Sequence, residues 1–116
     1  MSVSVYGIPS CTTVRKSLKW LEAEGVTHQY TPFAKVEDLS AALHTWIAAA
    51  GHSKVMNARA ATFRALPEAD QQRMLSDVDF AVDQMVADPR LIKRPVLVAG
   101  NSVVTGFNDA EWRAAI

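Results

Sequence analysis

Ser2-Val3-Ser4-Val5-Tyr6-Gly7-Ile8-Pro9-Ser10-Cys11-Thr12-Thr13-Val14-Arg15 is the stretch whose reading decides the fold. Residues 2–7 alternate with the period of a strand, and Ile8-Pro9-Ser10 has turn chemistry. From Thr12 to Glu24 the apolar residues Val14, Leu18 and Leu21 recur at helical spacing until Gly25 provides a stop. Cys11, the single cysteine of the chain, stands at the junction. A sulfur at the first turn of a helix faces unpaired backbone N–H groups and the positive end of the helix dipole, and both favour the thiolate, which is the nucleophilic form. Arg15 follows four residues later, one turn up the same face, and adds a fixed positive charge. A packing cysteine has no reason to occupy such a turn, so Cys11 is a candidate catalytic nucleophile. Ser10 and Thr12 flank it as hydrogen-bond donors to the sulfur or, on the safer reading, as helix caps.

Working outward, Thr27 to Phe33 is a second strand-like run, broken by Pro32. Strand, helix, strand in that order implies a parallel βαβ unit. Between Val36 and Asp88 no convincing strand is present, and three or four helical patterns succeed one another. Leu39, Leu43, Trp46, Ile47 and Ala50 form one apolar stripe ended by Gly51. Pro67-Glu68-Ala69-Asp70 reads as a helix start with Pro at the first position, and Asp77 can cap a helix carrying Val78, Ala81, Val82 and Met85. These stripes are core packing rather than chemistry. Further on, Val96 to Ala99 and Ser102 to Thr105 flank Gly100-Asn101, the signature of a two-residue hairpin. Asn108-Asp109-Ala110-Glu111 has capping-box spacing and opens a last helix with Trp112 and Ile116.

The order βαβ, helical segment, ββα predicts an α/β protein with a thioredoxin-like fold, a mixed sheet and a helical insertion subdomain. The core is expected at about residues 1–34 and 90–116 and the insert at about 35–89, all in one domain of 116 residues. Pro95, immediately before a strand, is then the expected place of a cis peptide facing the thiol.

Composition narrows the function. Twelve Lys and Arg against twelve Asp and Glu give a formal net charge of zero with no basic run, which argues against electrostatic binding of nucleic acid. One cysteine cannot form an internal disulfide, and no charged leader precedes an apolar stretch, so a cytoplasmic location is expected. The apolar runs are far shorter than the roughly twenty residues of a membrane span. His28, His44 and His52 are scattered and predict no metal, and the five glycines form no phosphate-cradling loop.

Three separated motifs carry a resemblance over essentially the whole chain: Tyr6-Gly7-Ile8-Pro9-Ser10-Cys11-Thr12-Thr13-Val14-Arg15-Lys16, Asn57-Ala58-Arg59-Ala60-Ala61-Thr62-Phe63-Arg64, and Ile92-Lys93-Arg94-Pro95-Val96-Leu97. In this order they resemble the arsenate reductase (ArsC) family and its Spx-type regulatory relatives, with the nearest likeness to the small bacterial reductases of the YffB type. The resemblance implies a thioredoxin-like fold with thiol chemistry at Cys11 and glutathione as co-reductant, and it makes glutaredoxin a candidate partner. It implies that Arg94, beside Pro95, holds an oxyanion, a role that suits its planar donor fork. It also implies that Arg59, or Asn57 as the rival match, supplies the basic or polar group of the insert.

Two departures bear on the chemistry. Arsenate reductases of this type place a further arginine after the hairpin, where this chain reads Val104-Thr105-Gly106-Phe107-Asn108. The second cysteine of the Spx-type redox switch would fall at position 14, which is Val14. An adduct on Cys11 then has no internal resolving thiol and needs an outside one. The expected function is a glutathione-dependent thiol reductase with Cys11, Arg15 and Arg94 as its catalytic residues and Ser10, Thr12, Asn57, Arg59, Arg94 and Pro95 contacting substrate or glutathione. The alternatives are an Spx-like binding regulator without catalysis and a true arsenate reductase.

Overall fold

A computed structural model describes residues 2–116. Strand β1 (Val3–Gly7) leads into helix α1 (Thr12–Ala23) and then strand β2 (His28–Pro32). Five α-helical segments follow, flanked by two short 3₁₀ turns: α2 (Leu39–Ala50), α3 (His52–Val55), α4 (Ala61–Arg64), α5 (Glu68–Ser76) and α6 (Val78–Ala87). Strands β3 (Val96–Ala99) and β4 (Ser102–Thr105) and helix α7 (Asp109–Ala115) complete the chain. The sheet order is β2-β1-β3-β4, with β1 and β2 parallel and the β1–β3 and β3–β4 pairs antiparallel. This is the mixed α/β sheet of a thioredoxin-like fold, as the order of sequence patterns implied.

The chain divides into two compact units, one running through Val36 and resuming at Arg94–Ile116, the other Glu37–Lys93. In the sheet unit, β1 is central, and alternation decides which side chains face the core. Val3 and Val5 point to one face, where Leu21 of α1, Leu97 and Ala99 of β3 and Trp112 of α7 are buried with them. Tyr30 of β2 pairs with Val5 and packs against the same cluster. The indole of Trp112 is fully buried, and its N–H donates to the Gly106 carbonyl at 2.9 Å, so its one polar atom is satisfied. Truncating such a side chain to alanine typically costs about 3–5 kcal/mol. Trp20 and Phe107 meet Trp112 edge to face, with centroids 6.3 and 5.1 Å away.

Helix ends follow local chemistry. Asp77 accepts from the Phe80 N–H and Asn108 from the Glu111 N–H, the two caps expected from sequence. Asp38 caps α2 through the Ala41 N–H, a cap not anticipated. Pro67 stands at the cap of α5 rather than at its first helical position. Gly25 adopts φ 69° just past the end of α1, and Gly100 adopts φ 60° in the β3–β4 turn, conformations that glycine reaches without steric cost.

In the helical unit the buried side chains include Leu43, Trp46, Val55, Phe63, Met74, Val82 and Met85. Residues 90–93 are tied into it by an isolated bridge between Met56 and Ile92 and by two backbone bonds, Asn57 N–H to the Leu91 carbonyl (2.8 Å) and Lys93 N–H to the Val55 carbonyl (2.7 Å). Its ion pairs, Arg73–Asp77, Arg90–Asp88 and His44–Asp79, are solvent-exposed, so apolar burial dominates its stability.

One close approach sets the angle at which β1 hands over to α1. A Cβ built on Gly7 would lie 2.7 Å from Cγ2 of Val14, which is itself fully buried in the first turn of α1. Gly7→Ala is therefore expected to destabilise the protein by about 1–3 kcal/mol through overpacking, read as a lowered midpoint in urea. An unchanged midpoint would show that the first turn can move away from the strand at no cost.

Candidate active site

Helix α1 begins at Thr12, which leaves Cys11 at the N-cap position with extended backbone (φ −76°, ψ 123°). A cap residue normally offers a side-chain oxygen to the N–H groups two and three residues on. Here the offered atom is sulfur. No conventional capping bond closes the turn, yet the N–H groups of Val14 and Thr13 face the thiol and stabilise its charged form. The helix ladder starts from the same residue, since the Arg15 N–H donates to the Cys11 carbonyl at 3.1 Å.

Opposing influences act on the Cys11 pKa. The largest single one is partial burial, which raises it. Against this stand the backbone N–H groups of Val14 and Thr13, then a hydrogen bond from the Arg94 side chain, then the Arg94 charge. Together they prevail and hold Cys11 below the ordinary thiol value. Cys11 is a free, half-buried cysteine, so its sulfur is reachable.

Arg94 arrives from a distant part of the sequence. It precedes the buried Pro95 at the entry to β3, and the Arg94–Pro95 peptide is cis, as expected from the fold context. Because β3 lies beside β1 in the sheet, the chain entering β3 and the chain leaving β1 meet at the same end, where Tyr6 pairs with Val96. Sheet topology thus brings the arginine to the sulfur, and a guanidinium beside a thiolate can both stabilise it and hold an anionic group.

The other sequence candidates fall into three places. Arg15 is exposed on α1, and the leading influences on the Cys11 pKa are burial, the Val14 and Thr13 N–H groups and Arg94. The four-residue spacing is real, but a long side chain one turn up a solvent-facing helix extends into water, where its field is screened. Ser10 and Thr12 are exposed beside Cys11, and neither caps the helix, because the cap position belongs to Cys11 itself. Asn57 and Arg59 lie in the helical unit. The Asn57 side-chain oxygen accepts from the Arg59 N–H at 3.2 Å, and the Arg59 carbonyl accepts twice from the Arg64 guanidinium, at 2.7 and 3.2 Å. This folds residues 57–64 into a self-bonded turn with the Arg59 side chain exposed.

Sequence reasoning passed over Tyr30. Its hydroxyl is buried without a hydrogen-bond partner, and its pKa is raised, first by burial and then by the negative charge of Cys11. The signal was the alternation of β2: in a parallel pair, Tyr30 opposite Val5 lies on the same sheet face as α1.

The histidines serve locally. His28 Nδ1 is 2.9 Å from the Val26 carbonyl, His52 Nε2 is 2.8 Å from the Met74 carbonyl, and His44 bridges the Ser40 carbonyl and Asp79. Among the described residues, no group of three or more His, Cys, Asp or Glu side chains could hold a metal ion. No helix among them is long and apolar enough to cross a membrane.

A mixed sheet of this order with a half-exposed, arginine-paired cysteine before its first helix defines the class of thioredoxin-like proteins. Within it, residues 6–115 match the ArsC family, to which this chain belongs. An uncharacterized protein of Haemophilus influenzae is 33% identical over 97% of both chains. The global transcriptional regulator Spx of Lactiplantibacillus plantarum is 25% identical, covering 96% of this chain and 83% of its own length. Among solved structures, a YffB protein superposes with a TM-score of 0.83 at 34% identity over 97% of both chains. An arsenate reductase from Vibrio cholerae gives a TM-score of 0.82 at 25% identity, covering all of this chain and 98% of its own. The chain's relatives and structural neighbours thus include proteins named as transcriptional regulators and as arsenate reductases.

The low thiol pKa gives a direct measurement. Cys11 is expected to be alkylated by iodoacetamide with a pH midpoint below that of a free thiol, and Arg94→Gln is expected to move that midpoint upward. The sign follows from the charge balance: removing a positive group that favours S⁻ leaves burial, which favours SH, less opposed. The same linkage means that the thiolate's stabilisation of the fold is present at high pH and is lost as pH falls through the folded-state pKa. A midpoint unmoved in Arg94→Gln would show that the first-turn N–H groups alone set the thiol.

Proposed function

We propose that this chain is a glutathione-linked thiol reductase in which Cys11 is the nucleophile and Arg94 holds the thiolate and orients an anionic group. The observation that carries the reading is the depressed Cys11 pKa at a half-exposed position, with Arg94 hydrogen-bonded to the sulfur. With a disulfide substrate, the Cys11 thiolate attacks one sulfur, a new S–S bond forms, and the other sulfur leaves as a thiolate. Glutathione thiolate then attacks the mixed disulfide, releases Cys11 as S⁻ and carries the sulfur away as a disulfide. The chain contains one cysteine, so the second step is intermolecular. Glutaredoxin is a candidate for taking over the adduct. Pro95 and Arg94 supply the surface beside the sulfur for the peptide of glutathione, while the roles of Ser10, Thr12, Asn57 and Arg59 rest on the family resemblance.

Two other readings compete. Spx-type relatives favour a protein-binding regulator, and the arsenate reductase neighbour favours oxyanion reduction. Val104-Thr105-Gly106-Phe107-Asn108 lacks the additional arginine of the latter, which weakens arsenate as substrate and leaves general thiol chemistry intact.

Incubation with glutathione disulfide is expected to place one glutathionyl group on Cys11, seen by intact mass, and added glutathione is expected to remove it. Cys11→Ser should show no adduct and no turnover. Absence of any adduct on the unmodified protein, with a Cys11 midpoint at or above the free-thiol figure of about 8.5, would make the binding regulator the better reading. Efficient arsenate turnover would restore the oxyanion reductase.

A further inference from the structure

Helix α1 carries charge of one sign over most of its length. Between Ser2 and Leu21 the chain has no Asp or Glu, and its charged side chains there are Arg15, Lys16 and Lys19. With Thr12, the first helical residue, they stand at i, i+3, i+4 and i+7, one face of the helix, and all four are exposed. Val14, Ser17 and Leu21 take the buried face opposite. The cationic stripe therefore runs up the solvent side of the helix that presents the sulfur, beginning beside Cys11.

This arrangement works against the helix itself. The first turn of α1 holds no acid, whereas α5 carries Glu68 and Asp70 there, α6 carries Asp79, and α7 carries Asp109 and Glu111. The N-terminal end of a helix favours negative charge, and like charges at the Arg15–Lys19 and Lys16–Lys19 spacings repel each other. Among the described residues no ion pair includes Arg15, Lys16 or Lys19. Glu24, the acid at the C-cap of the same helix, is engaged by Arg113 of α7. A local cost with no internal partner is accounted for when the partner comes from outside.

Length fixes the kind of partner. Lys19 follows Cys11 by eight residues, roughly 12 Å along the helix axis. Glutathione has a single residue on each side of its cysteine and falls short of that span, whereas an extended polypeptide covers it in about four residues. With Cys11 as the nucleophile, a reading on which this rests, we propose that the outer face of α1 is a docking surface for an acidic polypeptide segment. The oxidised substrate is then a peptide or protein disulfide with carboxylates within about four residues of its reacting sulfur. Carboxylates held over Arg15, Lys16 and Lys19 offset the repulsion that the Cys11 thiolate exerts on an acidic chain. The step is disulfide exchange: the Cys11 thiolate attacks one substrate sulfur, the new S–S bond forms as the old one breaks, and the other sulfur leaves as a thiolate.

Synthetic peptides with a central cysteine activated as its pyridyl disulfide, and flanked by Glu, by Gln or by Lys, test this against the full chain, Lys16→Gln/Lys19→Gln and Cys11→Ser. Attack on the peptide sulfur releases thiopyridine, followed by absorbance, and leaves the peptide on Cys11, seen by intact mass. At low salt the parent is expected to react about tenfold faster with the Glu peptide than with the Gln peptide, the scale of electrostatic steering, and slowest with the Lys peptide. That spread should close as salt is raised. Lys16→Gln/Lys19→Gln should cut the Glu-peptide advantage to about threefold or less, while its rate with the Gln peptide stays within about twofold of the parent and so reports an intact site. Equal rates of the parent with all three peptides would overturn the proposal, as would a Glu-peptide advantage undiminished in the double variant, which would leave Arg94 as its source. Binding of a single-stranded oligonucleotide by this face, without preference among the peptides, would overturn it in favour of nucleic acid. A parent protein labelled no faster than Cys11→Ser by any peptide would overturn the reading of Cys11 itself, a failure distinct from that of the α1 face.

Discussion

The arrangement of the site depends on one contact, the backbone of Gly7 against the branched side chain of Val14. With no Cβ on Gly7, the two methyl groups of Val14 come down onto the end of β1, and a methyl there would meet Cγ2 at 2.7 Å. That pins the first turn of α1 to the central strand. Cys11, four residues beyond Gly7 and three before Val14, is carried by this pin, and so are the N–H groups of Thr13 and Val14 that face its sulfur. Because β3 is hydrogen-bonded to the same strand, Arg94 is fixed to the same frame. Backbone packing, sheet pairing and thiol acidity are thus one construction.

Charge balance at the sulfur shows why several weak donors are used. Partial burial alone would make Cys11 a poorer acid than a free thiol, and no single donor acts more strongly than that burial. Two backbone N–H groups and one guanidinium together reverse the balance. The backbone share cannot be removed by mutation without disturbing the helix, whereas the Arg94 share can, so the arginine is the adjustable part.

Much of this was legible in the sequence because it is written in local patterns. The alternation of residues 2–7, the 3–4 spacing of Val14, Leu18 and Leu21, and Gly100-Asn101 between two β-rich runs each specify an element by short-range physics. The cap residues Asp77 and Asn108 were readable for the same reason. What the sequence hid was where side chains end up once elements pack. Spacing put Arg15 on the face of Cys11, but spacing says nothing of whether a long cation turns to the sulfur or to water. Ser10 and Thr12 have the chemistry of caps, but the helix starts one residue later than a Ser10 cap needs. Tyr30 was read as an ordinary strand residue, and only the parallel register with Val5 reveals which way its ring faces.

Val14 also bears on what kind of protein this can be. By the resemblance read from the sequence, the second thiol of an Spx-type redox switch would fall at this position, close to the first. Here the position is fully buried and filled by a branched side chain seated in the notch left by Gly7. A cysteine would supply one Sγ where valine has two methyl groups, leaving part of that notch empty, and the loss of buried contact would fall on the very turn that holds the nucleophile. The packing that seats the first turn beside Cys11 is therefore built from a residue that offers no second thiol. On the proposed reading, a site with this single cysteine takes its resolving thiol from solution, which would separate it in mechanism from a self-resolving disulfide switch.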